Sequence, residues 1–481
     1  MSSTDIEGFW ATADEMADFL KGADEVTVVA HIDADGVSSG SIASKALERA
    51  GVPHRVRFIK KLDLPEIENI NGDQADAVWL VDLGSGSFSQ LEHPGICVCD
   101  HHVPDVNTAS RRRGQNTLFS FLSRHLNPHL FGIDGSTELS GSGTTYCVAR
   151  SMDPKNRDLA SIALVGAVGD FQDSAECRLK GFNRMILEDA EAEGVARAEV
   201  DLRLFGRETR PVDKLLQYST DPYLPGLTND QDGCRLFVLE QGVDLKEGDR
   251  WRCWVDLRQD ERKRLASALC HLLLDSGRSA AIVRRMMGEV YLLTREGEGT
   301  ELHDAKEFST LLNACGRYGF AEVGMQVCKG DRGQSLETAI KLQRDHRSNL
   351  SGAIEQVKEM GIHRRRWIQH FHGQDEIIDS IVGIVAGMAL ASGEIPSDLP
   401  IIAFALSEDG KVKVSARGTR DMVRKGLDLA SAIRLASESV GGAGGGHNIA
   451  AGATIDIGRE EDFLDEIEAI IAQQMGSTPE A

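Results

Sequence analysis

Three potential metal ligands alternate along the segment His31-Ile32-Asp33-Ala34-Asp35-Gly36, which directly follows the apolar run of residues 26–30. Because residues i, i+2 and i+4 of an extended strand end point the same way, we expect His31, Asp33 and Asp35 to converge. Two carboxylates without a counter-ion would repel, and carboxylates with an imidazole suit manganese, magnesium or zinc. The alternative is a polar loop that caps a helix, with Asp35 or Ser38 as the N-cap.

Acids and histidines also follow three later apolar segments, at residues 78–81, 96–99 and 162–168. The polar residues at these ends are Asp82, the run Asp100-His101-His102, and Asp170. In open α/β sheets, ligands gather beyond the carboxyl ends of the strands. The sequence therefore indicates that the first segment, Asp82 and the run at 100–102 meet at one edge of a sheet.

Two glycine-rich segments could bring backbone amides close to a phosphate. Residues 140–145 (SGSGTT) precede a predicted helix, but they lack the lysine of a P-loop, and plain helix capping is the better interpretation. Residues 441–446 hold five glycines and one alanine before His447, a composition too flexible for regular structure that permits close approach to a ligand. The apolar residues 449–455 that follow disfavour the alternative, a flexible linker.

Two arginine runs, 111–113 and 364–366, are further candidates for contact with phosphates, and Trp367 beside the second run could stack a base. A solvated face is at least as good an interpretation of each run.

The segment 313–317 (NACGR) places a glycine beside an arginine, which fits either a helix end or a phosphate contact. The helix end is favoured.

Length and composition favour a large globular protein. The chain has 481 residues, 41% of them apolar, which is enough for about three domains with buried cores. No run approaches the roughly 18 apolar residues that cross a bilayer, and the polar N-terminus lacks a signal-peptide pattern, so we expect a cytoplasmic protein without a membrane partner.

Nine cysteines without a CxxC pair should be reduced. The net charge of −22 argues against a general nucleic-acid coat, but an enzyme can confine basic residues to one groove.

The hydrophobic pattern predicts alternating strands and helices up to about residue 190, which is typical of a doubly wound, mostly parallel sheet. After an amphipathic helix that ends near Gly22, the expected strands are 25–30, 54–59, 76–82 and 95–100, and the expected helices are 38–50, 158–168 and 180–193. We interpret residues 200–350 as an insert, with charged helices such as 260–274 and a β-like run at 283–293. A final unit should hold helices at 377–391 and 428–439 and strands at 399–406 and 411–416.

The motifs together resemble those of a known superfamily. With HIDADG at 31–36, Asp82, DHH at 100–102, GAVGD ending at Asp170 and GGGHNIAAG at 444–452, the chain resembles the DHH phosphoesterase superfamily, and within it the archaeal RecJ-like single-strand exonucleases. The resemblance implies an α/β fold of three parts. These are a doubly wound, mostly parallel DHH catalytic domain (1–199), a middle insert (200–360) and a smaller α/β DHH-associated domain that binds substrate (361–481), with the substrate in the cleft between the two lobes.

The resemblance also implies a role for each motif. Two divalent ions, with Mn²⁺ preferred and Mg²⁺ possible, would share Asp82 as a bridge. The metal ligands would be His31, Asp33 and Asp82 for one ion and Asp35, Asp82, His101 and Asp170 for the other. Asp100 would orient His101, and His102 would face the scissile phosphate. The implied substrate-binding residues of the second lobe are Ser415, Arg417, Gly445, Gly446 and His447.

The leading functional hypothesis is a manganese-dependent exonuclease that degrades single-stranded DNA, or RNA, in replication or repair. A second hypothesis is a phosphodiesterase of short oligonucleotides or cyclic dinucleotides, since superfamily members of that kind share the two lobes. A third is a non-catalytic replication scaffold of the helicase complex, which the filled ligand positions disfavour. The resemblance further suggests that the insert docks on a replication partner such as the GINS complex.

Overall fold

The computed structural model describes residues 4–105, 124–219, 222–277, 279–391, 395–407 and 409–476. These residues form two compact units, 1–343 and 344–481. The arginine run at 111–113 lies outside the described residues. The division into three functional domains stays a prediction.

The first unit is built on a parallel sheet of five strands in the order β2-β1-β3-β4-β5. The strands are β1 (Val26–His31), β2 (His54–Ile59), β3 (Ala77–Val81), β4 (Ile96–Cys99) and β5 (His125–Leu126). The strands remain parallel, but β2 lies on one side of β1 and β3 lies on the other. The carboxyl ends of β1 and β3 therefore flank the point where such sheets bind ligands. The predicted α/β fold with a mostly parallel sheet is confirmed.

Helices cover both faces of this sheet, because its strands are apolar on both sides. Val28 of β1 lies in one buried core and Val29 in another, as expected for a parallel sheet between helix layers. The helices are α1 (Ile6–Lys21), α2 (Ala34–Ala50), α3 (Leu64–Asn71), α4 (Gly141–Met152), α5 (Ala160–Gly169) and α6 (Gly181–Ala192). The predicted helices at 158–168 and 180–193 correspond to α5 and α6.

The region after residue 196 forms a third apolar core of its own. Its elements are β6 (Arg197–Leu202), α7 (Val212–Gln217), α8 (Gln231–Glu240), β7 (Lys246–Glu247), β8 (Arg250–Trp251), α9 (Gln259–Asp275), α10 (Ala280–Met286) and β9 (Met287–Leu292). The predicted helix at 260–274 is confirmed by α9. The predicted strand at 283–293 is correct only for β9, because residues 283–286 complete α10.

Three helices follow this core along the chain: α11 (Ala305–Arg317), α12 (Ala321–Cys328) and α13 (Gln334–Met360). A buried carboxylate joins α11 to the start of the insert. Glu307 Oε1 accepts a hydrogen bond from the Glu208 amide at 2.8 Å, and its Oε2 accepts one from the Thr209 hydroxyl at 2.5 Å. Burial, reinforced by the nearby Asp304 carboxylate, raises the pKa of Glu307 to about 7.

We expect Glu307→Gln to stabilise the protein more at pH 8 than at pH 5. The ordinary pKa of 4.5 applies to the unfolded chain, so the wild-type fold loses stability as the pH rises from 4.5 towards 7, where the folded carboxyl ionises. The neutral amide avoids this loss, which is at most about 3 kcal/mol. Thermal unfolding at both pH values measures it, with exposed Glu322→Gln as the control. An equal effect of Glu307→Gln at both pH values would contradict the prediction.

The second unit contains a mixed sheet of six strands in the order β10-β11-β12-β13-β15-β14, in which only β11 and β12 pair in parallel among the described strands. The strands are β10 (His363–Arg364), β11 (Gln369–His372), β12 (Ile401–Leu406), β13 (Lys411–Arg417), β14 (Ala443–Gly446) and β15 (Ala450–Asp456). The helices are α14 (Asp379–Ala391), α15 (Arg420–Arg424), α16 (Leu429–Ser439) and α17 (Glu460–Gly476). The four elements predicted between residues 377 and 439 are confirmed.

Two predictions for this unit are wrong in part. The glycine-rich segment is not irregular throughout, because Ala443–Gly446 forms the edge strand β14. Its glycines permit close packing, since a Cβ atom at Gly444 would lie 2.7 Å from the Ala453 Cβ atom. In the arginine run at 364–366, Arg365 contacts Asp465 and Glu461 at 2.5 and 2.6 Å, so it pairs within the protein rather than facing a phosphate.

Within the described residues, no helix combines the length and apolar character needed to cross a bilayer. The nine cysteines are free thiols, as predicted.

A candidate metal centre

The first predicted ligands lie where β1 gives way to α2. His31 ends the strand, Asp33 is the N-cap of α2, and Asp35 lies in the first helical turn. Asp33 Oδ1 accepts the Gly36 amide at 2.9 Å, while its Oδ2 lies 2.9 Å from His31 Nδ1. The backbone of Asp33 is still extended, so the predicted extended geometry is wrong only from Ala34, where α2 begins. The same segment caps α2 and places the predicted ligands. Asp35 points inward because it lies in the first helical turn, not because strand residues alternate.

Asp82 follows β3 and lies between two histidines. Its Oδ2 is 3.6 Å from His31 Nδ1, and its Oδ1 is 3.4 Å from His101 Nε2. The residue has a φ of +62°, a strained conformation for a side chain other than glycine. Both carboxylate oxygens are buried without a hydrogen-bond partner in the described part of the chain. Such orphaned oxygens fit a site that binds a cation.

The start of α4 binds Asp35 rather than an exogenous phosphate. The amides of Gly141 and Ser142 donate to the Asp35 carboxylate at 2.7 and 3.0 Å. Ser140 Oγ accepts the Gly143 amide at 3.1 Å, which is the capping arrangement favoured above. Two amides at this helix start are therefore not available to a phosphate, because they donate to a carboxylate of the candidate metal centre. For these two amides the suggested phosphate site is wrong.

The two histidines after β4 have different hydrogen-bond partners. His101 Nδ1 lies 2.7 Å from the Gly135 carbonyl oxygen and donates to it, which leaves Nε2 facing Asp82. Asp100 Oδ1 accepts from His102 Nδ1 at 2.7 Å and from the His101 amide at 2.8 Å. The implied role of Asp100 is thus corrected. Asp100 orients the ring of His102, while the Gly135 carbonyl orients that of His101.

Asp170 completes the group at the end of α5. Its Oδ2 lies 3.7 Å from His101 Nδ1 and accepts a hydrogen bond from Gln172 Nε2 at 3.1 Å. Gln172 is buried and also donates to the Gly135 carbonyl at 2.8 Å, so it fixes both neighbours. Gln172 could not be predicted from the sequence, because an amide two residues after a ligand has no distinctive spacing.

The structure brings all six predicted metal ligands together. Within three groups, each residue offers a ligand atom that lies within 4.8 Å of the others. The groups are His31, Asp33 and Asp82; Asp35, His101 and Asp170; and Asp82, His101 and His102. The donor set of carboxylates and imidazoles fits manganese, magnesium or zinc.

Electrostatics support a cation at these groups. Burial, with the nearby carboxylates of Asp35 and Asp33, raises the pKa of Asp82 to about 7, and burial raises that of Asp170 to about 6. Burial opposes charging of His31, but Asp33 and Asp82 outweigh it and raise its pKa well above the ordinary value. Asp82 and Asp170 therefore hold protons at unusually high pH, which is expected where negative charge is concentrated without a metal.

The second unit places the predicted substrate-binding residues in one sheet. Ser415 and Arg417 lie on β13, Gly445 and Gly446 on β14, and His447 directly follows β14.

Helix α14 leaves room for two of these side chains. A Cβ atom at Gly383 would lie 2.5 Å from Arg417 Nη2 and 3.0 Å from Ser415 Oγ. Arg417 Nη1 also donates to the Ala416 carbonyl at 2.8 Å. The binding roles of these residues stay predictions.

Comparisons with known proteins identify two domains. The DHH-CID domain model matches residues 204–287, and the DHHA1 domain model matches residues 366–473. The uncharacterized protein MJ0831 of Methanocaldococcus jannaschii is 28% identical over 458 residues, which are 94% of each chain.

Three solved structures share the fold. RecJ from Thermus thermophilus in complex with Mn²⁺ has a TM-score of 0.57 at 16% identity over 97% of this chain and 55% of its own. Exonuclease RecJ bound to manganese has a TM-score of 0.56 at 16% identity over 98% and 97%. CDC45 from Entamoeba histolytica has a TM-score of 0.63 at 10% identity over 97% and 99%. The resemblance to RecJ-like proteins of the DHH superfamily is confirmed.

Proposed function

We propose that this chain, a DHH-superfamily protein with a RecJ-like fold, is an exonuclease that hydrolyses single-stranded DNA, or RNA, with two divalent metal ions. The observation that carries the proposal is the buried Asp82 carboxylate, which lies between His31 and His101 with both oxygens orphaned. A carboxylate in this position is suited to bridging two cations.

The chain's own residues divide into two ligand sets that share Asp82. The proposed ligands are His31, Asp33 and Asp82 for one ion and Asp35, Asp82, His101 and Asp170 for the other. When bound, two such ions supply a nucleophile at neutral pH and neutralise charge on the phosphoryl oxygens. We propose Mn²⁺ as the preferred ion and Mg²⁺ as a substitute, in keeping with the ions that the similar RecJ structures bind.

His102 is the proposed contact to the scissile phosphate. Its side chain is 54% exposed, beside the buried ligand cluster. Although partial burial opposes its charging, the hydrogen bond to Asp100 raises the pKa of His102 to about 9. Protonation is therefore favoured in the metal-free site, with Nδ1 donating to Asp100 and Nε2 available to donate to a phosphoryl oxygen.

An exposed aromatic ring supports a nucleic-acid substrate. Phe171 directly follows Asp170, exposes 70% of its surface and has a φ of +57°. Bases stack on such rings regardless of sequence. The similarity to exonuclease RecJ supports action from a strand end. We propose a link to replication or repair because the sequence motifs resemble those of the archaeal RecJ-like proteins.

Substrate comparison tests this proposal against the alternative of a short-oligonucleotide or cyclic-dinucleotide phosphodiesterase. With Mn²⁺ present, end-labelled single-stranded DNA and RNA should shorten progressively from one end. Rapid cleavage of cyclic dinucleotides with intact longer strands would favour the alternative.

In the second unit, we expect Arg417→Ala and His447→Ala to weaken substrate binding without weakening metal binding, because both side chains would contact a neighbouring phosphate. Loss of a charge-assisted hydrogen bond should raise KM by about tenfold or more. Steady-state kinetics and calorimetric Mn²⁺ titration separate the two effects, with exposed Arg434→Ala on α16 as the control. Unchanged KM and kcat in both variants would count against this role.

We also propose the second role that the motif resemblance suggests, a replication scaffold in which the DHH-CID domain docks on the GINS complex; CDC45 from Entamoeba histolytica shares the fold. Exposed Leu236 and Leu239 on α8 offer GINS an apolar contact.

Purified GINS should capture the intact protein, and Lys263→Glu on α9 should slow association, because charges at an interface rim chiefly tune the on-rate. Lys60→Glu, outside this domain, is the control. Failure of the intact protein to bind GINS would end this proposal but not that of the nuclease.

A further inference from the structure

The end of α11 contacts the backbone on both sides of the predicted ligand Asp33. Asn313 Oδ1 accepts a hydrogen bond from the Ala34 amide at 3.0 Å. Gly316 lies against the Ile32 carbonyl so closely that a Cβ atom there would be 1.7 Å from the carbonyl oxygen. A helix from a distant part of the sequence therefore contacts the backbone directly before and directly after Asp33.

Each contact does something that the HIDADG segment cannot do alone. The Ala34 amide is one of the first amides of α2, which have no acceptor within their own helix, and Asn313 satisfies it. Gly316 is helical, so its small size rather than its backbone freedom explains the contact. The sequence had favoured a plain helix end here, and α11 does end at Arg317, but that end also supports the candidate metal centre.

Asp33 is the predicted ligand that most needs such support. Its side chain is 45% exposed, more than that of any other predicted metal ligand, whereas Asp82 is 1% exposed. Packing of its own side chain therefore restrains Asp33 least. A fixed backbone on either side compensates by limiting where the carboxylate can point.

Helix α11 is itself held at its other end. Its N-cap Asp304 accepts from Arg207 at 2.9 Å in a buried ion pair. Glu307 binds the Glu208 amide and the Thr209 hydroxyl. Because both ends of this 13-residue helix are anchored, it can act as a rigid support for the loop.

We propose that Asn313 and Gly316 are positioning residues that hold the Asp33 peptide so that its carboxylate stays beside His31 and Asp82 for metal binding. This inference rests on the proposed function, because it assigns the contacts to the same metal centre. Neither residue touches substrate or the reacting atoms, so both act through Asp33.

Replacement of Asn313 isolates the hydrogen bond. We expect Asn313→Ala to weaken Mn²⁺ affinity about 10- to 100-fold, the usual effect of losing a group that orients a ligand. Asn313→Asp keeps the acceptor oxygen and should bind Mn²⁺ at least as tightly as the wild type. Thr310→Ala, one turn earlier on α11, is the matched control. Calorimetric Mn²⁺ titration measures all three.

Kinetics distinguish a positioning role from general damage. At saturating Mn²⁺, Asn313→Ala should regain most of its kcat, and its KM for an oligonucleotide should equal that of the wild type. Gly316→Ala should weaken Mn²⁺ binding more strongly, because the new methyl group must displace Ile32. Gly352→Ala, which adds a methyl group in open space on α13, should leave Mn²⁺ binding unchanged. Thermal unfolding in EDTA checks that each variant is folded.

The outcomes separate this inference from the proposed function. If the wild type binds Mn²⁺ and cleaves oligonucleotides, but Asn313→Ala binds Mn²⁺ within about twofold of the wild type, the positioning role is overturned and the nuclease remains. If the wild type binds no Mn²⁺, the proposed function fails and the positioning role fails with it. Weakened binding in Asn313→Ala with recovery in Asn313→Asp supports the role, even where Gly316→Ala does not fold.

Discussion

Replacing Asp82 by asparagine is expected to abolish Mn²⁺-dependent hydrolysis while leaving the metal-free fold at least as stable as that of the wild type. Asparagine has the same shape, but it lacks the charge needed to bridge two cations, so turnover should fall by about 10³-fold or more. Burial, with the nearby Asp35 and Asp33 carboxylates, raises the pKa of Asp82 to about 7, so its ionised form is unfavourable in the metal-free site. Removing that charge relieves the repulsion.

Thermal unfolding with and without Mn²⁺ provides a readout independent of activity. The wild-type protein should gain about 3 kcal/mol at a Mn²⁺ concentration of 100 times Kd, because the ion binds only the folded state. Asp82→Asn should gain much less, whereas Asp244→Asn, at an exposed position of the insert, should behave as the wild type. Substantial Mn²⁺-dependent turnover by Asp82→Asn would refute the shared-ligand assignment.

Replacing Gly141 by alanine should disrupt the same centre although it replaces none of the predicted ligands. A Cβ atom at this position would lie 2.3 Å from Asp82 Oδ1, so the carboxylate must move. The Gly141 amide also donates to Asp35, which couples the shift to a second ligand. We expect Mn²⁺ affinity and hydrolysis to fall by about 100-fold, the upper range for groups that orient ligands.

The control for this substitution is Gly86→Ala. Gly86 is exposed, and the nearest atom to an added Cβ is the Val103 carbonyl oxygen at 4.0 Å. This variant should retain wild-type Mn²⁺ binding by calorimetry and wild-type turnover. Since alanine favours helix over glycine by about 1 kcal/mol, lost binding by a folded Gly141→Ala would reflect the clash rather than a weaker helix. Unimpaired Mn²⁺ binding by Gly141→Ala would show that the centre tolerates the methyl group.

The parallel sheet and the ligand positions could be predicted because short stretches of sequence indicate both. Short apolar runs bounded by glycine, proline and aspartate identify strands, and a ligand that follows a strand must lie at the sheet edge. Asp82 and His101 were found in this way. The period-2 argument holds through Asp33 and fails at the next residue, since the N-cap preference of Asp33 starts α2 at Ala34.

The supporting contacts could not be predicted, because they join residues far apart in the sequence. Asn313 reaches Ala34 across 279 positions, and the Gly135 carbonyl reaches His101 across 34. A backbone carbonyl has no sequence signature at all. The edge strand β14 was missed for a different reason, since five glycines in six residues indicate flexibility unless a neighbouring strand and helix require their small size.

The most direct test of the account is the metal dependence of nucleotide release from a single-stranded oligonucleotide, measured for the wild type and for Asp82→Asn. EDTA should abolish release by the wild type, Mn²⁺ should restore it, and Asp82→Asn should release nothing above background in either condition. Release that survives EDTA, or equal release by Asp82→Asn with Mn²⁺, would contradict a hydrolytic centre built on the shared Asp82 carboxylate.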